Sequence, residues 1–524
     1  MKYYDLIIIG AGPAGLSAGI EAASHGMSVI IFDENHCPGG QLFKQIHKFF
    51  GSKEHYAKVR GFRIGQKLLT QAKNAGVTVF LDTVVVGLFL QHNVTVMKDN
   101  CIMHYGADSI IIATGASENA IPFKGWTLPG VIGAGAAQTF MNLYRETPGS
   151  NILMVGSGNV GLVVSYQLLQ AGCHVTAIVD VLPRIGGYGV HAAKVARTGV
   201  PFYLSNTIVE AKGTDRVTGA VIARVGPDLK AIPGTERQLD VDTICLAVGL
   251  SPMSKLAQMA GCKMIYHGGV VPECDKYGAT SVDGIFSAGD AAGIEEASSA
   301  MIEGRIAALG VAKRSGYLTE DECLPLFNRR YAELMKLRKG MFSPENQAKL
   351  SVTQTAEGYP LSINLLRHGY LTENELEVFP DRLVKKVSVH PVIECTQNIP
   401  CNPCQDVCPQ NCIDIGEDIT SLPVINTQKK CIGCGLCVAN CPGQAIFLVE
   451  SMSDNDRVTI PYEFLPFPVI GDEGNGCDRS GKAVCRVEII AVQNILSNDH
   501  TCLVTMAVPP SMGNTVRFYK KMEG

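Results

Sequence analysis

The sequence predicts an α/β chain with two Rossmann-like domains, the first interrupted by the second, then an α+β cysteine-rich domain and a small C-terminal β domain. Three observations predict it. A strand, glycine turn, helix and strand open the chain at Leu6; the same unit recurs at Asn151; and nine of the nineteen cysteines fall between Cys395 and Cys441. At 524 residues there is room for three or four domains of about 150 residues each.

The first unit reads LIIIGAGPAGLSAGIEAASHGMSVIIFDE. Gly10 makes the tight turn, Gly12 lets the backbone approach a pyrophosphate, and Gly15 lets helix and sheet pack closely. The anion would sit at the helix N-terminus, where free N–H groups and the macrodipole favour it. Asp33 ends the second strand, placed to accept a hydrogen bond from a ribose hydroxyl. The second unit, NILMVGSGNVGLVVSYQLLQAGCHVTAIVD, sets Gly156, Gly158, Gly161 and Asp180 in the same register. Two fingerprints mean two nucleotide sites, or one site and one empty structural copy. A carboxylate at 180 accepts from a 2′-hydroxyl and repels a 2′-phosphate, so NAD or an adenine nucleotide is expected over NADP.

Composition excludes several classes of partner. With 45 basic and 49 acidic residues and no long run of one sign, neither nucleic acid nor an anionic membrane surface is an expected partner. LIIIG leads straight into a glycine turn with no basic n-region or cleavage site, so it reads as a strand and not a signal peptide. No apolar run reaches the roughly 18 residues of a membrane span. A cytoplasmic location is expected, and there clustered cysteines point to metal ligation over disulfides.

The cysteine stretch reads CTQNIPCNPCQDVCPQNC and, after a spacer, CIGCGLCVANCP. Its second half is the C-x2-C-x2-C-x3-C-P run of bacterial iron–sulfur proteins. In two-cluster ferredoxins the cysteine before the proline serves the other cluster. Cys431, Cys434 and Cys437 therefore go with Cys408, and Cys395, Cys401 and Cys404 with Cys441. The first half departs from the pattern, with five residues between Cys395 and Cys401, so Cys412 stands as an alternative to Cys395. Zinc fits badly, because structural zinc sites use two separated pairs and four ligands. Two [4Fe–4S] clusters in a ferredoxin-like domain are expected.

Shorter segments, PGGQ (Pro38 to Gln41), IIATGA (Ile111 to Ala116), LAVGLSP (Leu246 to Pro252) and GIFSAGDAAG (Gly284 to Gly293), occur in an order that resembles the two-dinucleotide-domain flavoproteins that include thioredoxin reductase. The resemblance implies FAD at the first fingerprint and a pyridine nucleotide at the second. It places Gly40 and Gln41 near the isoalloxazine, Thr114 and Gly115 along the dinucleotide, and Gly289 and Asp290 at the ribityl or phosphate region. One departure matters: Asn151 to Ala247 carries no C-x-x-C, only the single Cys173 and Cys245, so disulfide reduction is not expected. The segment GWTLPGVIGAGAAQ (Gly125 to Gln138) is similar to the FAD-containing subunits of amino-acid and amine dehydrogenase complexes, the opine oxidase, dye-linked proline dehydrogenase and hydrogen cyanide synthase type. That resemblance implies a hetero-oligomer with a substrate-oxidising flavoprotein partner, an electron carrier such as ferredoxin, and ATP or ADP as an alternative to NAD at the second site.

The expected domains are an FAD-binding part at 1–118, a second nucleotide-binding domain at 119–250, an FAD-domain return at 251–315, a helical connector at 316–388, the ferredoxin-like domain at 389–450 and a small β domain at 451–524. In the connector, RRYAELMKLRK reads as a solvated helix face. The octets GYLTEDEC and GYLTENEL echo one another but are too short to mark a repeat. His36 and His47 read as structural, so no catalytic base is assigned. Three readings remain: an electron-transfer subunit of an amino- or imino-acid dehydrogenase complex, an NADH-dependent ferredoxin-type reductase acting alone, or a chain whose second site is a regulatory or structural adenine-nucleotide module.

Overall fold

In a computed structural model that describes residues 2–89, 92–343, 352–380, 382 and 388–522, the chain divides into two compact units. The expected connector at 316–388 falls partly outside the described residues, at 344–351, 381 and 383–387.

The first unit comprises residues 1–47, 59–119 and 249–338. Its sheet runs in the order Thr78–Phe80, Val29–Phe32, Lys2–Ile9, Cys101–Ile112, Asn93–Lys98, Val84–Phe89, and Ile285–Ser287 also pairs with Cys101–Ile112. Lys2–Ile9 is parallel to both neighbours. A central parallel strand is covered on both faces, which is why Leu6 to Ile9 form an unbroken apolar run, all four buried. The first fingerprint helix, Pro13–Ser24, crosses the long helix Ala297–Arg314. A Cβ on Gly304 would stand 2.0 Å from the Ala14 carbonyl oxygen, so the crossing depends on small residues. The chain leaves and re-enters this unit through Ala116–Glu118 and Leu250–Pro252, which pair antiparallel.

The second unit comprises residues 48–58, 120–248 and 339–524. It contains a five-stranded parallel sheet in the order Phe202–Leu204, His174–Asp180, Asn151–Val155, Thr243–Leu246, Val131–Gly133, and a three-stranded antiparallel sheet from Asn206 to Leu239. It also contains a seven-stranded antiparallel sheet in the order His390–Ile393, Ile446–Glu450, Asp456–Tyr462, Cys502–Val508, Ala483–Gln493, Glu473–Cys477, Phe518–Lys521. This sheet crosses residue 450: its first two strands come from the cysteine-rich region and the other five from the C-terminal one. Phe447 shares one core with Val458, Ile460, Val504 and Met506, so the alternating apolar residues on both sides of the expected boundary bury one another. Cys477 and Cys502 sit in that core, with Cys485 against it.

Two local readings gain physical content. The echoed octets encode the same helix start: Thr319 and Thr372 each accept from the N–H three residues on, and Glu322 and Glu375 each accept from the threonine N–H at 2.9 Å. Each is a capping box. The basic run is not simply a solvated face, because Arg330 pairs with Glu21 at 3.1 Å and Arg338 with Glu295 and Glu303. Among the described residues, no helix is long and apolar enough to cross a membrane.

Candidate cofactor sites

The two fingerprints are built alike down to single hydrogen bonds. Gly10 and Gly156 have φ of +108° and +111°, and a Cβ on either would stand 2.2 Å from a carbonyl oxygen, that of Ala113 or Ala247. Only glycine fits a left-handed turn pressed so close to a neighbouring strand. A Cβ on Gly15 or Gly161 would stand 1.8 Å or 2.1 Å from the carbonyl oxygen of that turn glycine. Each turn glycine donates its N–H to the adjacent strand, Gly10 to Phe32 at 2.8 Å and Gly156 to Val179 at 2.7 Å. Each acid then pins its loop: Ala11 N–H donates to Asp33 Oδ2 at 2.5 Å and Ser157 N–H to Asp180 Oδ2 at 2.7 Å. Asp33 also accepts from the backbone and side-chain N–H groups of Asn35. Asp180 accepts from the Ser157 hydroxyl and from Leu182 N–H. A carboxylate has about four acceptor sites, so roughly one is left over on each acid.

Around the first fingerprint, the structure gathers the segments that the sequence singled out. Gly39 donates its N–H to Ala11 O at 2.8 Å, and the Gly40 Cα lies 4.0 Å from where a Gly12 Cβ would be. Gln41 is exposed. Thr114 donates its hydroxyl to Met253 O at 2.7 Å, and Gly115 accepts from Met253 N–H at 2.9 Å. Gly289 donates to Glu303 Oε2 at 3.0 Å, and Arg338 bonds both Glu303 and Glu295. Burial pushes the Asp290 carboxyl up to about 6, and burial with the nearby Glu295 charge pushes Glu303 up to about 7. Lys44, just past Gln41, is held below the usual lysine value by burial, with Glu118 partly offsetting this. Glu303 and Lys44 did not stand out in the sequence, because their spacing matches no motif, and Arg338 did so only as part of the basic run RRYAELMKLRK. His36 is exposed and His47 half-buried.

At the second fingerprint, a strap of four residues lies over the glycine loop. Gly186 N–H donates to the Ser157 hydroxyl at 3.3 Å, Gly187 N–H to Ser157 O at 3.0 Å, Tyr188 N–H to Asn159 Oδ1 at 2.8 Å, and Gly189 N–H to Gln397 Oε1 at 2.7 Å. A Cβ on Gly187 would stand 2.8 Å from the Asn159 nitrogen, while one on Gly158 would meet nothing within 4 Å.

The cysteines stand around two cavities. One is lined by Cys395, Cys401, Cys404 and Cys441 together with Phe50, Val190 and Ile399. The other is lined by Cys408, Cys412, Cys431, Cys434 and Cys437. Each three-cysteine group meets the proline-flanked cysteine of the other half. Cys412 and Cys395 do not share a cavity, and Cys412 N–H donates to Cys408 Sγ at 3.2 Å. Burial, reinforced by neighbouring thiolates, pushes Cys395 up to about 12 and Cys401 and Cys404 well above the usual thiol value. Burial and the neighbouring Cys408 push Cys412 up to about 11. Thiols so placed ionise when a metal draws off their protons. Among the described residues, no three His, Cys, Asp or Glu side chains converge to hold a single metal ion. Four thiols spread around a cavity suit a polynuclear iron–sulfur core better than one zinc.

The fold and the paired fingerprints define a flavin- and pyridine-nucleotide-type oxidoreductase. The chain belongs to the pyridine nucleotide-disulphide oxidoreductase family, which it matches over residues 4–304, and it carries a 4Fe-4S binding domain match at 427–447. It is similar to an opine oxidase subunit of Agrobacterium tumefaciens (strain Ach5), 27% identical over 64% of this chain and 71% of that one. It is also 27% identical to hydrogen cyanide synthase subunit HcnB of Pseudomonas aeruginosa, over 63% of this chain and 75% of that one. Among solved structures, L-proline dehydrogenase from P. horikoshii superposes with a TM-score of 0.50 at 20% identity, over 64% of this chain and 59% of that one. T. acidophilum thioredoxin reductase gives 0.50 at 22% identity, over 60% of this chain and 99% of that one. These two structures share the fold.

Proposed function

We propose that this chain is the electron-transfer subunit of an amino-acid or imino-acid dehydrogenase complex, moving electrons between FAD and two [4Fe–4S] clusters. The observation that carries the reading is the sorting of cysteines around two cavities in one chain with a dinucleotide-type crevice. Cys395, Cys401, Cys404 and Cys441 would hold one cluster, and Cys408, Cys431, Cys434 and Cys437 the other. Gly10, Gly12, Gly15, Asp33, Gly40, Gln41, Thr114, Gly115, Gly289 and Asp290 would hold FAD. When bound, FAD exchanges two electrons at once and the clusters one each, so the chain would convert between the two regimes. Arg338 and the Gly289 N–H hold Glu303 in place beside Gly289.

Similarity to proteins named as subunits of opine oxidase and hydrogen cyanide synthase supports a hetero-oligomer. The partners would be a substrate-oxidising flavoprotein and a carrier such as ferredoxin, in the cytoplasm. Gly156, Gly158, Gly161 and Asp180 would take NAD, or ATP or ADP. The Asp180 register supports a second reading, an NADH-dependent reductase acting alone. One anaerobic experiment separates them: NADH is added to the purified chain while flavin bleaching and cluster reduction are followed. The relay protein stays oxidised, and rapid reduction overturns it in favour of the reductase.

A further inference from the structure

The two cysteine cavities sit in opposite electrostatic settings. The cavity of Cys408, Cys431, Cys434 and Cys437 opens to water: Cys434 is exposed, Ile432 is 57% exposed, and the adjacent Lys429 and Lys430 are exposed. Charge added there is solvated. The cavity of Cys395, Cys401, Cys404 and Cys441 is bordered by the start of the short helix Gly189–Ala196 of the second dinucleotide-type region. Val190 lines it, and a Cβ on Gly443, two residues past Cys441, would stand 2.8 Å from the Val190 Cβ.

That helix and its end carry two buried cations. Lys194 and Arg197 are 4% and 5% exposed. Arg197 donates to Gln444 O at 3.0 Å and lies 5.0 Å over the Phe447 ring. Lys194 lies 4.8 Å over the Tyr166 ring, whose hydroxyl donates to Gln444 Oε1 at 2.8 Å. Both cations are thereby fixed against the turn that carries Cys441. Glu394 also faces Arg197, but its buried carboxylate is shared with Arg479 and Arg517, each within 2.8 Å, and Arg382 is buried near Cys395. Glu463 lies on the Tyr166 side and accepts from Thr501 and Gln170.

Reducing an iron–sulfur cluster adds one negative charge. Among buried side chains water answers that charge weakly, and fixed cations nearby stabilise it. We propose that Lys194 and Arg197 set the reduction potential of the cluster at Cys395, Cys401, Cys404 and Cys441, making the second dinucleotide-type region the electrostatic seat of that cluster. The potential of the other cluster is set by solvent. One electron enters from an external one-electron mediator, and no bond forms or breaks. The inference rests on the two-cluster reading above.

The test is an anaerobic redox titration of the full chain with its cofactors, followed by electron paramagnetic resonance, with iron and sulfide measured on every sample. Two one-electron steps are expected. In Lys194→Met, one step shifts against reduction by about tenfold in the reduced-to-oxidised ratio, about 59 mV for a one-electron couple, and the other stays. Lys194→Arg restores the wild-type value, and Lys430→Met moves the step that Lys194→Met leaves alone, or neither. Unchanged steps in Lys194→Met at full iron content overturn the inference, as does an equal shift of both. The wild type gives a second measurement that no folding defect can blur. Raising salt from about 0.05 to 1 M, which screens exposed charges but not buried ones, should move one step and leave the other; equal movement of both overturns the inference. Iron near four atoms per chain in the wild type would instead overturn the two-cluster reading itself.

Discussion

Replacing Glu394 by glutamine probes the pin beside the first cysteine. Glu394 is fully enclosed with Arg479 at 2.8 Å and Arg517 at 2.5 Å. Burial alone would raise its carboxyl, but the two guanidiniums, with Arg197 behind them, outweigh burial and hold it at about 2 against an ordinary 4.5. At about 1.36 kcal/mol per pKa unit, the gap is worth about 3 kcal/mol. This agrees with the roughly 3–5 kcal/mol lost when one partner of a buried ion pair is removed. The sign follows from a depressed carboxylate: the stabilisation is complete above pH 4.5 and is lost as pH falls towards 2. Urea unfolding of the full chain, followed by far-ultraviolet circular dichroism, should place Glu394→Gln about 3 kcal/mol below wild type at neutral pH. The difference should shrink through the acid limb. A difference under about 1 kcal/mol, or one independent of pH, would refute the assignment of a buried, charged carboxylate at this position.

Other perturbations test other parts. Cys408→Ser should lower bound iron from about eight to about four atoms per chain, whereas Cys412→Ser should leave it near eight, read by iron and sulfide assay. Gly158→Ala adds a methyl group that meets nothing within 4 Å, so the thermal midpoint should not move; yet a nucleotide using this loop would lose its close approach, read as weakened binding of NADH or ADP by calorimetry. Thr319→Ala removes a capping-box oxygen and should cost about 1 kcal/mol in urea unfolding, while Thr319→Ser should restore most of it.

The architecture was legible where local chemistry forces it. The glycine turns could be read because no other residue fits a φ near +110° beneath a carbonyl, and the second cysteine run because Cys431, Cys434, Cys437 and Cys441 keep one regular spacing, which the five residues between Cys395 and Cys401 break. The single sheet across residue 450 was not legible. Phe447 and Val458 look like strand residues on either side of a turn, and only their shared burial joins them. The ion pairs of Arg338 and the burial of Lys194 and Arg197 were hidden for the same reason. A cation on a helix reads as solvated until a distant segment covers it, and Gln444 lies 247 positions from Arg197. The octet echo was visible as letters but not as a cap until the threonine N–H was seen bonded to glutamate.

The second fingerprint and the cysteine domain share one compact unit, which changes what the question of its nucleotide means. The strap Gly186–Gly189 is tied at one end to Ser157 and Asn159, where a pyrophosphate would approach, and at the other to Gln397, two residues past Cys395. Tyr188 and Val190, on either side of Gly189, reach Phe342 and Gly443. The Gly189–Gln397 bond lies two residues from Gly187, so the strap links the fingerprint loop to the cysteine turn. Linkage is reciprocal, so any change that a nucleotide here makes in cluster affinity equals the change that the cluster makes in nucleotide affinity. An empty fingerprint is then not an idle copy, because its loop still anchors the strap whose Gly189 N–H is bonded to Gln397, two residues past Cys395.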